Sequence, residues 1–574
     1  MTARVLTDGG GRGNVDGMAA TTGTKPIPLT AEQVHRFIAD GFLVLKPSVP
    51  AELHRTIYRK LAEAIPGTDN PGNNVLPLVP EMRHVLESPE VCGALLTLLG
   101  PGYLEHPHRY CHIEALQDLG GIDHAAKLAA NSHQDSYTPL GRPRHHHIRF
   151  LRIMYYPQDT PPELGPTHVI PGTHLNRGLS DADKAHQFPV SGPAGLVSLT
   201  HFDVGHAAGV NVTAQRRFMV KFIYMRSAAP MANGWSGPEW AWRGPRELST
   251  DDRRDLAWSH LWDWLRGAPH RYASFAAGGA APANGAPRAA GSAEDGLQRR
   301  LAAGPAADRV AAAETLAHGG AEAVAAIPAL IACLNREPDS VRIAATYALG
   351  AIGAPAIPAL TDALRGSGAA LPHLLRGVGG GNHGGTWREQ ALVMDDASHA
   401  LAAIGTDAIP ALIDLLAAHD DEWSRVNAAF ALGEMDHAAG GAVPALTRAL
   451  ADDSHFVVRT AADSLGTIAA AEAAGPLGRL LHQERPGWDT PLVRGWSIRD
   501  QVRFNAATSL ARLGSRAADA ESDLIAALDD PCGQVTTVVL AALRRLGTPS
   551  ALDAAFSMLT AERWDPSLTG THRF

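Results

Sequence analysis

Ala326-Ile327-Pro328-Ala329-Leu330, Ala356-Ile357-Pro358-Ala359-Leu360, Ala408-Ile409-Pro410-Ala411-Leu412 and Ala442-Val443-Pro444-Ala445-Leu446 are one phrase written four times. Proline suits the first turn of a helix, where its missing N–H has no partner to lose, so each copy reads as a helix start. Between the copies runs a second, Ala-rich helical pattern. Its marker leucines, Leu316, Leu349, Leu401, Leu432, Leu465, Leu510 and Leu543, stand 33, 52, 31, 33, 45 and 33 residues apart. A helix pair of this length cannot bury its apolar face alone, and stacking about seven of them builds one continuous core. Residues 297–560 therefore predict an all-α solenoid, with 561–574 as a tail.

The repeated phrases resemble HEAT repeats. Two spacings exceed the basic period, and both surpluses are loop-like: Gly377, Gly379 to Gly381 and Trp387 in one, Pro486, Trp488 and Trp496 in the other. Exposed aromatics on loops need a surface to cover them. The expectation is that these loops dock on the N-terminal domain, with packing on their own repeats as the alternative. The array contains no lysine and more acidic residues than arginines, and the whole chain carries a net charge of −9, so nucleic acid is a poor partner. A protein partner on the repeats is the other reading of a HEAT-like surface.

Upstream, Ala276 to Ser292 is mostly Ala, Gly and Pro without an apolar period, which places a linker at 276–296. Before it, 29–275 reads as a β-rich domain with helices in front, and 1–28 as a flexible leader. Thr30 and Gln33 form a capping-box pattern, with Leu29 able to staple on Val34, and the helix should end by Gly41. A strand at Phe42 to Leu45 and a second helix over Ala51 to Ala64 follow. Phe150 to Tyr156, Leu196 to Phe202 and Phe218 to Met225 read as strands, and Ser249 to Leu265 as a helix with Trp258, Leu261, Trp262 and Leu265 on one stripe, packed on the sheet. Four scattered cysteines make neither a disulfide framework nor a zinc site, which points to a reducing compartment, and no apolar run is long enough to span a bilayer. The cytoplasm is the expected location.

The sharpest chemical constellation is His133-Gln134-Asp135, with His206 and then Arg217 downstream. A histidine and a carboxylate two apart at a strand end point to one side of the sheet, and a distant histidine completes a facial set of three ligands. Such a face suits iron(II) and leaves positions for a bidentate co-substrate and oxygen. A nearby arginine can fork onto the far carboxylate of a dicarboxylate. His112 with Glu114 is a rival pair of the same spacing, and His201 a rival distal histidine. Eleven residues beyond His206 stands Arg217, whereas eleven beyond His201 stands Val212, which favours His206.

His133-Gln134-Asp135, the run Gly165-Pro166-Thr167-His168-Val169-Ile170-Pro171-Gly172-Thr173-His174, and then His206, Asn211 and Arg217 resemble the phytanoyl-CoA dioxygenase family over roughly Leu29 to Arg226. The resemblance implies a double-stranded β-helix (jelly-roll) oxygenase domain with flanking helices, ahead of the HEAT-like solenoid. It also implies iron(II) held by His133, Asp135 and His206, and 2-oxoglutarate held by Arg217. The implied reaction consumes oxygen and 2-oxoglutarate, releases succinate and carbon dioxide, and removes hydrogen from a C–H bond of a small-molecule metabolite. Asp135 argues for hydroxylation or a related outcome, since related halogenating enzymes replace that carboxylate with a small residue. Ala208, two residues after His206, stands where relatives often have a small polar side chain. The stretch Arg142 to Arg149, with His145, His146 and His147, lies outside the family motif and reads as a solvated loop near the site, with substrate binding as the alternative; Lys127 reads as simply exposed, with a position facing the co-substrate as the alternative. The alternative for the whole chain is a protein-binding HEAT scaffold whose oxygenase domain modifies or senses the bound partner.

Overall fold

The computed structural model describes residues 25–563 apart from 68–70, 118–120, 122, 136–142, 238–240, 246, 250–251, 269–291, 337, 370–391, 418–420 and 493–494. Most of the expected leader and linker, and the first repeat insertion from Gly377 to Trp387, lie outside the described residues.

The N-terminal elements follow the local signals. Thr30 and Gln33 close a full capping box on helix α1 (Ala31–Asp40), which ends at Gly41, whose φ of 79° is the left-handed conformation that glycine adopts freely. Strand β1 (Phe42–Leu45) and helices α2 (Ala51–Ala64) and α3 (Pro89–Leu99) follow. Apart from several helical turns of three to five residues, the further elements of this half are β2 (Leu104–Glu114), α4 (His124–Asn131), β3 (Phe150–Tyr155), β4 (Thr167–Ile170), β5 (Phe188–Pro189), β6 (Val197–His201), β7 (Gly205–Ala208), β8 (Arg217–Met225) and α5 (Asp255–Leu265).

The strands form two antiparallel sheets, one ordered β1-β6-β3-β8-β2 and the other β5-β4-β7. Phe42, Met154, Tyr156, Leu196 and Met219 from the side of the large sheet pack with Val169, Val190 and Val204 from the side of the small one, so the two sheets close face to face as a jelly roll. Register decides what points between them. Directly paired residues share a face, so Tyr110, His112 and Glu114 line up with Lys221, Met219 and Arg217, and Arg152 lies between Thr200 and Ile223. Trp258, Leu261, Trp262 and Leu265 of α5 are buried as expected, with Trp262 packed against His35 of α1 at 4.2 Å.

In the C-terminal half the marker leucines sit on seven helices: α6 (Ala306–Gly319), α7 (Asp339–Ile352), α8 (Asp396–Ile404), α9 (Glu422–Glu434), α10 (His455–Ile468), α11 (Ile498–Leu513) and α12 (Gly533–Leu546). All seven leucines are buried. The repeated phrase opens the intervening helices Ile327–Ile331, Ile357–Arg365, Ile409–Ala417 and Val443–Ala449, with its proline in the first turn. Within one repeat the chain bends by 116° between Asp339–Ile352 and Ala354–Arg365. Successive helices approach closely: a Cβ added at Gly466 would stand 2.4 Å from Ser509 Oγ. Among the described residues no single helix is long and apolar enough to cross a membrane.

The reading of Arg142 to Arg149 as a solvated loop is corrected by the structure. Arg144, His145, His146, His147 and Arg149 are buried, because one face of the repeat array is laid against them; Arg142 lies outside the described residues. Glu434 at the end of α9 accepts from His145 Nδ1 at 2.8 Å and from Arg149 Nε at 3.0 Å, and Arg149 Nη1 reaches Asp436 at 2.9 Å. His146 stacks on His399 at 3.8 Å and meets the Tyr347 hydroxyl at 2.9 Å. His147 lies flat on Trp264 at 4.2 Å, while Trp264 Nε1 donates to Asp436. Helices of the array, rather than its second inserted loop, thus make these contacts. Trp488 lies beneath Arg485 and Trp496 against Phe504, so that insertion packs on its own repeats. The first insertion ends at a bridge between Leu392 and Pro143.

Candidate metal centre

α4 delivers the chain to His133, which leaves the helix as an isolated bridge to His206 on β7: each backbone N–H donates to the other's carbonyl at 3.0 Å. This pairing brings residues far apart in sequence to one point, and Asp135, two positions on, faces the same side. One ligand atom each from His133, Asp135 and His206 lies within 4.8 Å of the others. Among the described residues this is the one group of three or more such side chains with metal-ligand spacing.

Both imidazoles are oriented by the backbone. His133 Nδ1 lies 2.8 Å from the Asn131 carbonyl and His206 Nδ1 lies 3.1 Å from the Val204 carbonyl. A carbonyl can only accept, so each Nδ1 carries the proton and each Nε2 presents its lone pair inward. His206 Nε2 here accepts from Arg152 Nη1 at 2.8 Å. Asp135 sits between Lys221 Nζ at 3.4 Å and Arg152 Nη2 at 3.5 Å. Burial alone would raise its carboxyl pKa, but Lys221 and Arg152 outweigh that and hold it well below the usual carboxylate range. Two imidazole nitrogens and one carboxylate fit a divalent first-row metal such as iron(II).

Arg217, at the start of β8, is fully buried. Its Nη1 donates to the Gly165 carbonyl, whereas Nε and Nη2 have no hydrogen-bond partner; Glu114 Oε1 stands 3.7 Å from Nη2. A buried guanidinium with two unspent donors is the group a carboxylate ligand satisfies.

The rival pair is close by without joining the triad. Glu114 faces Arg217 across the β2–β8 register and His112 faces Met219, with burial, Lys221 and Arg217 keeping the His112 imidazole neutral. Glu114 also accepts from Gln117 Nε2 at 2.6 Å, and Gln117 Oε1 in turn accepts from Lys127, so Lys127 is tied into the edge of the site rather than simply exposed. His201 lies elsewhere, its Nδ1 accepting from the Asp203 backbone at 3.2 Å and its ring 5.1 Å from that of His174. Arg152 and Lys221 escape the sequence reading. Their signal is a cation on the inward alternation of an otherwise apolar strand, Arg152 alone on β3 and Lys221 four residues beyond Arg217 on β8.

The family model described as phytanoyl-CoA dioxygenase (PhyH) matches residues 39–219, and that described as HEAT repeats matches 294–371 and 409–490. No curated protein matches the chain. Among solved structures, the chain is similar to EctD from S. alaskensis with 2-oxoglutarate and 5-hydroxyectoine, at 19% identity over 37% of this chain and 81% of that one, TM-score 0.29. It is also similar to the α-ketoglutarate-dependent epimerase SnoN of nogalamycin biosynthesis (19% identity, 34% and 81% covered, TM-score 0.27). The carbocyclase SnoK from the same biosynthesis gives 19% identity, 38% and 98% covered, and a TM-score of 0.27. The chain thus carries a phytanoyl-CoA dioxygenase domain over residues 39–219, that of an iron(II)- and 2-oxoglutarate-dependent oxygenase, followed by HEAT repeats.

Proposed function

We propose that this oxygenase oxidises a C–H bond of a small-molecule metabolite, most simply by hydroxylation, using His133, Asp135 and His206 as iron ligands and Arg217 as the clamp on 2-oxoglutarate. The observation that carries the reading is the meeting of two oriented Nε2 atoms and a carboxylate beside a buried guanidinium with two unspent donors. Iron(II) with 2-oxoglutarate and oxygen supplies the oxidant, the co-substrate leaving as succinate and carbon dioxide.

The chain's own residues do the rest. The Asn131 and Val204 carbonyls fix the ligand tautomers. Arg217 orients the far carboxylate of the co-substrate, with Glu114 as its partner while that carboxylate is away. Ala208 offers no hydroxyl, but Thr167 lies directly across from it with a buried side-chain hydroxyl beside the Tyr156 hydroxyl, so Thr167 takes over the contact that Ala208 lacks. Met154 and Met219 give the interior a dry wall that excludes water from the reacting atoms.

The scaffold reading is weakened by the packing of the array on His145 to Arg149, since that face is already covered by the oxygenase domain. We propose that the repeats serve the catalytic domain.

Arg217→Ala should raise the dissociation constant for 2-oxoglutarate about 10–100-fold, the cost of a charge-assisted contact, while iron affinity changes little. Arg216→Ala is the control, because Arg216 donates to the Ile65 and Pro66 carbonyls instead. An unchanged co-substrate affinity in Arg217→Ala would move the clamp elsewhere. For the distal ligand, His206→Ala should abolish iron-dependent succinate release and His201→Ala should retain it. The reverse pattern would contradict the assignment.

A further inference from the structure

The turn from Pro171 to Arg177 touches every segment that carries a ligand of the triad. Gln134, between His133 and Asp135, donates from Nε2 to the Thr173 carbonyl at 2.9 Å, the Asp203 carbonyl at 3.0 Å and the Asn176 carbonyl at 3.3 Å. On the opposite strand Thr173 Oγ1 accepts from the backbone N–H of Gly205 at 2.9 Å, one residue before His206. The turn is therefore the joint between the two ligand-bearing segments.

The repeat array holds this joint. Arg342 of α7 donates to the Leu175 carbonyl at 2.8 Å, and its Nη1 reaches Asp396 Oδ1, at the start of α8, at 2.7 Å. Arg177 at the end of the turn reaches the same Oδ1 at 3.1 Å and Asn335 Oδ1 at 2.9 Å, and its backbone N–H donates to Asp339 at 3.3 Å. The second oxygen of Asp396 accepts from the Asn335 backbone at 2.6 Å. Asp396 is buried; burial would raise its carboxyl pKa, and Arg342 and Arg177 hold it down at about 2. Within the oxygenase domain Arg144 and Arg254 also donate to the turn, at the Asn176 and Gly172 carbonyls, but the link from the array runs through Arg342 and Arg177, and one solenoid carboxylate orients both.

We propose that Asp396, acting through Arg342 and Arg177, is a positioning residue for the metal centre: the repeat array sets the turn, and the turn sets Gln134 and Gly205 and hence the spacing of His133, Asp135 and His206. The proposal rests on these three residues being the metal ligands. Groups that orient ligands from outside are worth about 10–100-fold in metal affinity.

The test is anaerobic titration of the full chain with cobalt(II) alone, followed by its ligand-field absorption and by calorimetry. Asp396→Asn and Gln134→Ala should each weaken cobalt binding about tenfold or more, and the double variant should be no weaker than the worse single, because both cut one linkage. Arg177→Gln keeps the Asp396–Arg342 pair and so spares the array should Asp396→Asn fail to fold; it should weaken binding in the same direction. Asp452→Asn, which removes the solenoid pair with Arg425 at 2.7 Å, is the control and should bind cobalt as the parent does. Parent-like affinity in both Asp396→Asn and Arg177→Gln, or full multiplication of the Asp396→Asn and Gln134→Ala losses, would overturn the proposal. A parent chain that binds no cobalt, or a His206→Ala variant that binds it undiminished, would instead overturn the ligand assignment beneath it.

Discussion

Asp135→Ala is expected to bring iron-dependent turnover to background and to lose the metal itself. Asp135 is the one anion in the triad, and Lys221 and Arg152 both lean on it. Without the carboxylate, two cations face the position a third would have to enter, and in a buried site that repulsion is weakly screened. The loss should exceed the about 10–100-fold typical of residues outside the ligand set. Asp135→Glu keeps the charge with one more methylene and should recover part of the binding. Metal analysis of the purified variants, beside succinate release, reads both effects; iron retained by Asp135→Ala would contradict the assignment.

Glu434→Ala should destabilise the chain by about 3 kcal/mol, the low end of the cost of breaking a buried ion pair, because Arg149 loses one of its two carboxylate partners. Arg149 keeps Asp436 but loses the carboxylate at 3.0 Å, and His145 loses its acceptor. Burial pushes the Glu434 pKa up, yet His147, Arg149 and His145 hold it well below the usual carboxylate range. Burial in turn drops the His147 pKa to about 4, so near neutral pH Arg149 is the counter-charge and His147 is uncharged. The signs agree. A carboxylate with a depressed folded pKa stabilises above its unfolded value and loses that contribution as pH falls. A histidine depressed from 6.5 to about 4 is protonated first in the unfolded chain, which costs stability over that interval. The first unfolding transition should therefore weaken between about pH 6.5 and pH 4 in the parent, and Glu434→Ala should lower it already at neutral pH. Denaturant melts followed by Trp fluorescence test this, since Trp264 lies at the junction. An unmoved transition at neutral pH would contradict the role of Glu434.

How much of this was legible in the sequence follows from how far apart the partners are. α1 with Thr30 and Gln33, the span of α2, and the leucines from Leu316 to Leu543 are local patterns, and the structure agrees with them. β2 escapes because its inward positions are Tyr110, His112 and Glu114, polar residues that line the site and erase the apolar alternation. β4, β5 and β7 are two to four residues long, too short for a period to show. His133, Asp135, His206 and Arg217 were legible as a spaced set, but Arg152 and Lys221 become members only through the pairing of β3 with β8. The burial of His145 depends on Glu434, 289 residues away, and no local rule carries that distance.

The most direct test of the central claim is an anaerobic titration of the full chain with iron(II) and 2-oxoglutarate, followed by the metal-to-ligand charge-transfer absorption that a chelated 2-oxo acid gives on iron(II). The band should saturate at one iron and one 2-oxoglutarate per chain, vanish in Asp135→Ala and His206→Ala, and need more co-substrate in Arg217→Ala. No band in the parent chain, or a band undiminished in Asp135→Ala and His206→Ala, would contradict that claim.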